Sequence, residues 1–432
     1  MKKVLILSYY WPPSGGAGVQ RCLKYVKYLR HFGWEPVVYT AENGSYPSID
    51  HSLQNDVPEG VEIVRLPIWE PYEIYKKLLG MKKEERVQHG FIQENKEPGL
   101  MQKFSVWVRG NFFIPDARKF WIKPSVRFLR DYLRKHPVDA MLSSGPPHSM
   151  HMIAKGVKDS LGIPWIADFR DPWTQIDFYD QLYLTSWADR KHHRMEKAVL
   201  TTADRILTVN PNCAKGLVEV GAPQADVIYN GFDESDFPQE DRPPLSKHFE
   251  LTHVGSLNKD RNPEALWKVL HQKCEEIEGF RQNLRIKLVG KVDWKIIDDL
   301  QRLGLEECLE RSDYVSHDEA CRLMCSSWVL LLLLNDTPNL EGITPGKMFE
   351  YLAARRPTLC IGSTTGDAAA ILRKTEAGLS FGFKDEEGIA KAIDGYYQQY
   401  LDKQTEPAGK NIDFYSRKNA TSQLADFLNQ LV

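Results

Sequence analysis

Short apolar runs alternate along the chain with stretches whose apolar residues recur every three or four positions, the signature of strands followed by amphipathic helices. Val4 to Ser8 is an apolar run that breaks at Pro12, Pro13, Ser14, Gly15, Gly16, Ala17 and Gly18. Val19, Cys22, Leu23, Val26, Leu29 and Phe32 then recur at helical steps, Gly33 closes the helix, and a second strand follows at Pro36–Thr40. A strand, a helix and a strand this close together form a βαβ unit with parallel strands. Further strands are expected at Glu62–Leu66, Asp139–Ser143, Pro164–Asp168, Arg205–Val209 and Val227–Tyr229, which closes a first doubly wound domain near Asn230. Beyond the polar stretch Glu240–Lys247 the alternation restarts, with strands expected at Phe249–Val254, Arg285–Val289, Asp313–Val315, Trp328–Leu334 and Pro357–Ile361.

The expected fold class is therefore α/β, with two Rossmann-like doubly wound domains facing each other across a cleft. Residues 1–230 form the first domain, with an irregular insertion at 68–123, and 231–415 the second. A closing helix at 416–432 places Leu424, Phe427, Leu428 and Leu431 on one face, which needs a docking surface.

Composition narrows the function classes. A length of 432 residues suits two domains, and 42% hydrophobic with 26% charged residues suits globular cores. A formal charge of −2 gives no general attraction to nucleic acid. The seven cysteines lack the paired spacing of a zinc site, so neither a metal nor another cofactor is expected. No apolar run approaches the ~20 residues that span a bilayer. A cytoplasmic location is expected, with peripheral contact at the inner membrane face. Tyr72, Tyr75, Lys76, Lys77, Phe104, Trp107, Phe112, Phe113, Phe120 and Trp121 in the insertion mix aromatic and basic character, which suits an anionic lipid surface or an ordinary helical insertion.

Two loops carry candidate chemistry. The turn at Gly15, Gly16 and Gly18 joins a strand end to a helix start, where backbone N–H groups can meet an anion; it could equally be a tight turn without a ligand. In Gly342–Ala353, Thr344 is a plausible N-cap and Pro345 a first helical residue, so Gly346, Lys347 and Glu350 begin a helix after a strand. Lys347 and Glu350, one turn apart, could also be a plain surface ion pair. Asp168, Arg170 and Asp171 follow a strand end; they could bind an acceptor, serve as a base, or form a salt-bridged turn.

Seven segments stand in order along the chain: LSYYWPPSGGAGVQR, PDARKFW at Pro115–Trp121, SSGPPHS at Ser143–Ser149, ADFRDPW at Ala167–Trp173, VIYNGFD at Val227–Asp233, HVGSLNKDRNPEAL at His253–Leu266 and GITPGKMFEYLAARRPTL at Gly342–Leu359. In these the sequence resembles the family-4 retaining glycosyltransferases of GT-B fold, of the bacterial polysaccharide-biosynthesis type. The resemblance implies transfer of a sugar from a nucleoside diphosphate sugar to a glycan or lipid-linked acceptor, with retention and without metal. It implies that Gly15, Gly16 and Gly18 lie near the donor diphosphate and the acceptor, that His148 reaches the donor sugar, that Glu350 accepts hydrogen bonds from the ribose, and that the closing helix 416–432 crosses back to pack on the first domain. Ser256, Lys259, Thr344 and Gly346 join the donor-binding candidates; Arg261, Lys347 and Glu341 join His148 as catalytic ones. Two departures stand out. Ser256 occupies the family's arginine position, with Arg261 at its lysine position, and the family's first glutamate falls on Gly342, one residue from Glu341. Alternatives are a nucleotide-sugar 2-epimerase of the same fold and a non-catalytic sugar-nucleotide-binding subunit of a polysaccharide assembly system.

Overall fold

The computed structural model describes residues 1–71, 100–238, 242–404 and 406–432; Tyr72, Tyr75, Lys76 and Lys77 of the insertion lie outside the described residues. The chain divides into two units: Met1–Tyr229 with Lys418–Val432, and Asn230–Arg417.

Unit 1 holds seven parallel strands, β1 (Lys2–Leu7), β2 (Trp34–Ala41), β3 (Glu62–Leu66), β4 (Ala140–Gly145), β5 (Trp165–Phe169), β6 (Arg205–Thr208) and β7 (Asp226–Val227), in the order β3-β2-β1-β4-β5-β6-β7. Strand side chains alternate between faces, and both faces of this sheet are covered, so β1 reads as an unbroken apolar run. Val4 and Ile6 pack against Val19, Cys22, Leu23 and Val26 of the helix Ala17–Leu29. Leu5 and Leu7 pack in the opposite core with Trp121, Leu129, Ile153 and Val157, from the helices Lys119–Leu133 and Ser149–Leu161. The closing helix Arg417–Leu431 buries Ala420, Leu424, Ala425 and Leu428 in the first of these cores. Arg205 lies 4.2 Å over the Phe427 ring and Trp34 Nε1 donates to Asn429 at 3.2 Å, which fixes how that helix docks on unit 1.

Unit 2 holds six parallel strands, β8 (Phe249–Val254), β9 (Leu284–Val289), β10 (Leu309–Ser312), β11 (Val329–Leu333), β12 (Thr358–Ile361) and β13 (Gly378–Phe381), in the order β10-β9-β8-β11-β12-β13. The strand expected at Asp313–Val315 lies at Leu309–Ser312 instead. β10 is an edge strand, and Glu310 pairs with Arg285 at 3.5 Å and Lys287 at 3.6 Å, so its charged sequence hides its strand character. β13, at the other edge, has no counterpart in the sequence expectation; Gly378 and Ser380 leave it without an apolar run.

In each sheet the strand order reverses direction once, between β1 and β4 and between β8 and β11. Loops leaving the carboxyl ends of those strand pairs stand side by side, and open α/β sheets bind ligands at such points. Among the described residues no helix is long and apolar enough to cross a membrane.

Asp168, on β5, is fully buried and takes both arms of an ion pair with Arg21: Nη2 donates at 2.8 Å and Nε at 2.9 Å. Ser144 Oγ adds a third bond at 3.0 Å. Its carboxylate is saturated within the core, so Asp168 is a support of the sheet rather than an acceptor-side group. Removing one partner of such a pair strands the other, so Asp168→Asn should destabilise unit 1 by about 3–5 kcal/mol. A denaturant midpoint that stays at the wild-type value would overturn this role.

Candidate functional site

The reversal point of unit 2 gathers Ser256, Lys259 and Arg261 after β8 with Glu341, Thr344, Gly346, Lys347 and Glu350 after β11. Two ties join the loops: Arg261 Nε donates to Asn335 Oδ1, and Asp336 N donates to Asp260 O at 3.2 Å. Arg261 Nη1 also donates to Ser256 O at 3.4 Å; Ser256 and Lys259 are exposed. The helix starts at Gly346, with Pro345 at the N-cap, one residue later than expected, and Thr344 does not cap it. Pro345 has ψ 146°, so it enters the helix from extended backbone rather than forming its first turn. No side chain caps this helix and no acid sits in its first turn, while a Cβ at exposed Gly346 would meet nothing within 4 Å. Its first N–H groups carry positive potential toward the loops.

Lys347 leaves that first turn and reaches across Gly255, whose φ of 113° and bare Cα admit it: a Cβ there would stand 2.8 Å from Nζ. The ammonium donates to His253 Nε2 at 3.3 Å, and His253 Nδ1 lies 3.0 Å from Leu331 O. The carbonyl accepts from Nδ1–H, which leaves Nε2 as the acceptor for lysine. Burial, then the charge of Lys347, holds the His253 pKa at about 3, so the ring is neutral. Burial, then the charge of Arg261, lowers Lys347 to about 7, against a smaller opposing effect of Glu350.

Lys347 and Glu350 form no ion pair within 4.0 Å, so the plain surface pair is not what the structure contains. Glu350 makes no hydrogen bond among the described residues, and burial raises its pKa while His317 opposes the rise. Glu341 is occupied: Oε1 accepts from Ser363 Oγ at 2.6 Å and Oε2 from Thr365 Oγ1 at 3.1 Å, both from the loop after β12. Its carboxylate is engaged by that loop, which counts against the catalytic assignment.

In unit 1, the expected glycines stand where backbone conformation or a close neighbour favours the absence of a side chain. Gly16, at the helix N-cap, has φ 87°. A Cβ on Gly15 would lie 2.9 Å from Ser48 Oγ, and one on Gly18 3.1 Å from Arg170 Nη1. Arg170 donates to Gly18 O at 2.5 Å and to Pro146 O, so it clamps the glycine turn to the loop after β4. His148 ends that loop. Its ring stacks on Trp173 at 4.6 Å and 4°, its Nδ1 has no hydrogen-bond partner among the described residues, and burial holds its pKa well below the usual imidazole value. The following helix, Ser149–Leu161, is capped from afar: Asp116 accepts from Ser149 N and Oγ, each at 2.8 Å. The helix Ala17–Leu29 has no side-chain cap and no acid in its first turn. A cavity of ≈ 290 Å³ lies beside His148 and is lined by Tyr10, Arg109, Asp116, Asp171, Trp173 and Tyr179 among others. Asp171 stands exposed at its wall.

His253, Asn335, Asp116 and Trp173 escaped the sequence expectation. His253 left a trace, a polar residue in the apolar strand FELTHV, and Asp116 and Trp173 lie inside the quoted segments PDARKFW and ADFRDPW.

Residues 15–231 match the family described as glycosyl transferase 4-like domain. Among solved structures, HepE of Anabaena, in complex with UDP and glucose, is similar over 100% of both chains at 13% identity and TM-score 0.60. Sucrose-phosphate synthase of Thermosynechococcus elongatus is similar over 100% of this chain and 99% of its own, at 15% identity and TM-score 0.61. A protein of Listeria monocytogenes assigned as a UDP-N-acetylglucosamine 2-epimerase is similar over 98% and 94%, at 10% identity and TM-score 0.54. At these identities the likeness is one of fold. No curated protein matches the chain.

Lys347 holds its proton less tightly folded, near 7, than its ordinary 10.5, so between those values the unfolded state binds more protons and stability rises with pH. Lys347→Met should therefore raise unliganded stability near pH 7 and flatten that rise, while abolishing any stabilisation by pyrophosphate. Thermal melts across pH check this; a variant that melts lower at pH 7 would refute it.

Proposed function

The chain belongs to the glycosyl transferase 4-like domain family, and from that premise we propose that it moves a sugar from a nucleoside diphosphate sugar, bound by unit 2, to a glycan or lipid-linked acceptor bound by unit 1. The fold is GT-B. The observation that carries the donor half is Lys347, a partly buried ammonium pressed by the charge of Arg261 and, among the described residues, without a carboxylate within 4.0 Å. A diphosphate would bring negative charge to Lys347, to Arg261 beside it and to the N–H groups at Gly346. HepE, of the same fold, holds UDP and glucose in one structure and UDP-glucose in another, which supports that class of donor.

Glu350 lies one turn beyond Lys347 and has acceptor capacity to spare, which suits two vicinal ribose hydroxyls. As the bond from the anomeric carbon to the phosphate oxygen breaks, the electron pair goes to the diphosphate, where Lys347, Arg261 and the helix N-terminus stabilise it. The acceptor oxygen forms the new bond and its proton passes to the leaving phosphate. Glu341 is engaged by Ser363 and Thr365, so its carboxylate is not held free as the nucleophile of a retaining glycosidase is. Same-face attack without a protein-bound intermediate, and hence retention, follows as part of the proposal. On the acceptor side, His148 offers an unsatisfied nitrogen to a sugar hydroxyl beside the cavity, with Asp171 on its wall. Arg170 positions both loops and need not touch substrate.

Donor incubated alone should give only slow hydrolysis; a 2-epimer as product would assign the site to an epimerase. By calorimetry, Glu350→Gln should cost about 1–3 kcal/mol of nucleotide affinity, while Glu341→Gln leaves it nearly intact. Arg261→Ala should weaken nucleoside diphosphate by about 1.5–3 kcal/mol and nucleoside far less. Equal losses for both ligands, or an unaffected Glu350→Gln, would end these assignments.

Affinity for the donor should also fall as pH rises above about 7, because the empty site's Lys347 must then take up a proton to bind. Lys347→Arg, charged throughout, should show no such fall; identical pH profiles for the two proteins would refute the linkage.

A further inference from the structure

Unit 1 carries a group of exposed aromatic rings that the donor chemistry does not use. Trp69, Phe104, Phe112, Phe120 and Trp187 are all solvent-exposed, the last at 58%. Contacts join the first four, and Trp187 is tied to them through the charge of Lys191 on Lys119. Trp69 meets Phe120 at 5.1 Å, Phe112 meets Trp107 at 5.6 Å, and Trp107 meets Phe104 at 5.9 Å. Lys119 Nζ lies 4.7 Å over Phe120 and 5.3 Å over Phe113, and it donates to Phe112 O. From the helix Ser186–Thr202, Lys191 lies 4.9 Å over Trp187. Lys191 is near enough to Lys119 that, after burial, its charge lowers the Lys119 pKa.

This surface is held in place rather than draped. Asn111 Nδ2 donates to Tyr183 O at 3.1 Å and its Oδ1 accepts from Thr185 N at 2.7 Å, which locks the helix Leu100–Phe112 to the start of Ser186–Thr202. Neither Lys119 nor Lys191 meets a carboxylate within 4.0 Å among the described residues. The segment Leu100–Arg134 holds eight basic residues against two acidic ones, so the surroundings are positive as well. Gly110, Phe113 and Phe178 of the same region line the cavity beside His148.

Exposed rings in one group mark an interaction surface. Aromatic rings with ammonium groups lying on their faces suit the lipid interface: the ring enters the acyl boundary while the cation stays at phosphate depth. Anionic headgroups also relieve the repulsion between the two lysines. A protein partner would need carboxylates fixed opposite each lysine, whereas a fluid anionic surface supplies them without a matched shape. We propose that this face seats unit 1 on an anionic bilayer and that the cavity beside His148 takes its acceptor from that bilayer. The second half rests on the glycosyl-transfer reading; the first does not.

The test is sedimentation with vesicles of equal parts phosphatidylcholine and phosphatidylglycerol, against phosphatidylcholine alone. Wild-type protein should bind the mixed vesicles at low salt and be released at high salt. Replacing both lysines, Lys119→Gln with Lys191→Gln, should weaken binding about thirtyfold, and Phe112→Ser with Trp187→Ser should weaken it on both compositions. These side chains are exposed or half-exposed, so unchanged melting temperatures certify the fold. No retention of wild type at low salt, or equal retention of all three proteins, overturns the proposal. So does self-association that Trp187→Ser abolishes in the absence of vesicle binding, which would assign the face to a second copy of the chain. Stabilisation by nucleoside diphosphate, measured on the same samples, reports on unit 2 alone; its loss with vesicle binding retained would fail the donor reading and leave the membrane face standing.

Discussion

Arg21 is almost entirely buried, at 1% exposure, and a guanidinium in that position stays charged only if its donors are filled. They are filled by the two oxygens of Asp168 and by the carbonyls of Ile228 and Tyr229, at 2.8 and 3.2 Å. One side chain thereby joins the helix that follows β1, the end of β5 and the exit from β7, while Ser144 brings in β4. The geometry of the reversal point in unit 1 depends on this knot. Two residues after Asp168, Arg170 reaches from the fixed end of β5 to both the glycine turn and Pro146. The positions of Gly18 and His148 therefore depend on an ion pair closed within the core.

Unit 2 handles charge in the opposite way. Lys347 and Arg261 press on one another, Glu350 is partly buried without a hydrogen bond, and His253 is held neutral to receive the lysine. Each of these costs folding free energy that a suitable anion and hydroxyl pair would offset. The helix starts divide along the same line. Asp116 spends its carboxylate on the helix Ser149–Leu161, whereas Ala17–Leu29 and Gly346–Ala354 begin without any side-chain cap. An element whose end is filled by its own protein serves the fold, and one left open can serve a ligand.

The strands that stand at the centre of each sheet were legible in the sequence because burial on both faces writes an uninterrupted apolar run, as in Val329–Leu333. The edges were not. β10 satisfies its charges sideways against β9, and β13 is too short and too glycine-bearing to leave a pattern. Glycine spacing made legible the positions with a backbone reason, Gly16 with its positive φ and Gly18 beside Arg170. Asp168 and Glu341 could not be assigned, because whether a carboxylate is free or filled depends on partners distant in sequence: Arg21 lies 147 residues from Asp168, and Ser363 lies 22 from Glu341. The aromatic face joins rings near Phe112 to Trp187 and was visible only in the half that lies within one segment.

The serine at position 256, where the resemblance expects an arginine, illustrates the difference between a residue and the charge it supplies. Position 256 directly follows Gly255, and it is over Gly255 that Lys347 Nζ comes to rest. The positive charge that position 256 lacks is thus met at the neighbouring position by Lys347 from the helix after β11, across a residue without a side chain to obstruct it. His253 completes the exchange, since its neutral Nε2 gives the ammonium an acceptor in a place where a carboxylate would cancel its charge. An arginine at 256 would add a further cation to Lys347 and Arg261, raising the repulsion already shown by the depressed lysine. On the proposed donor reading, the serine is the residue that this arrangement tolerates best, and the departure from the family pattern marks a relocated charge rather than a lost one.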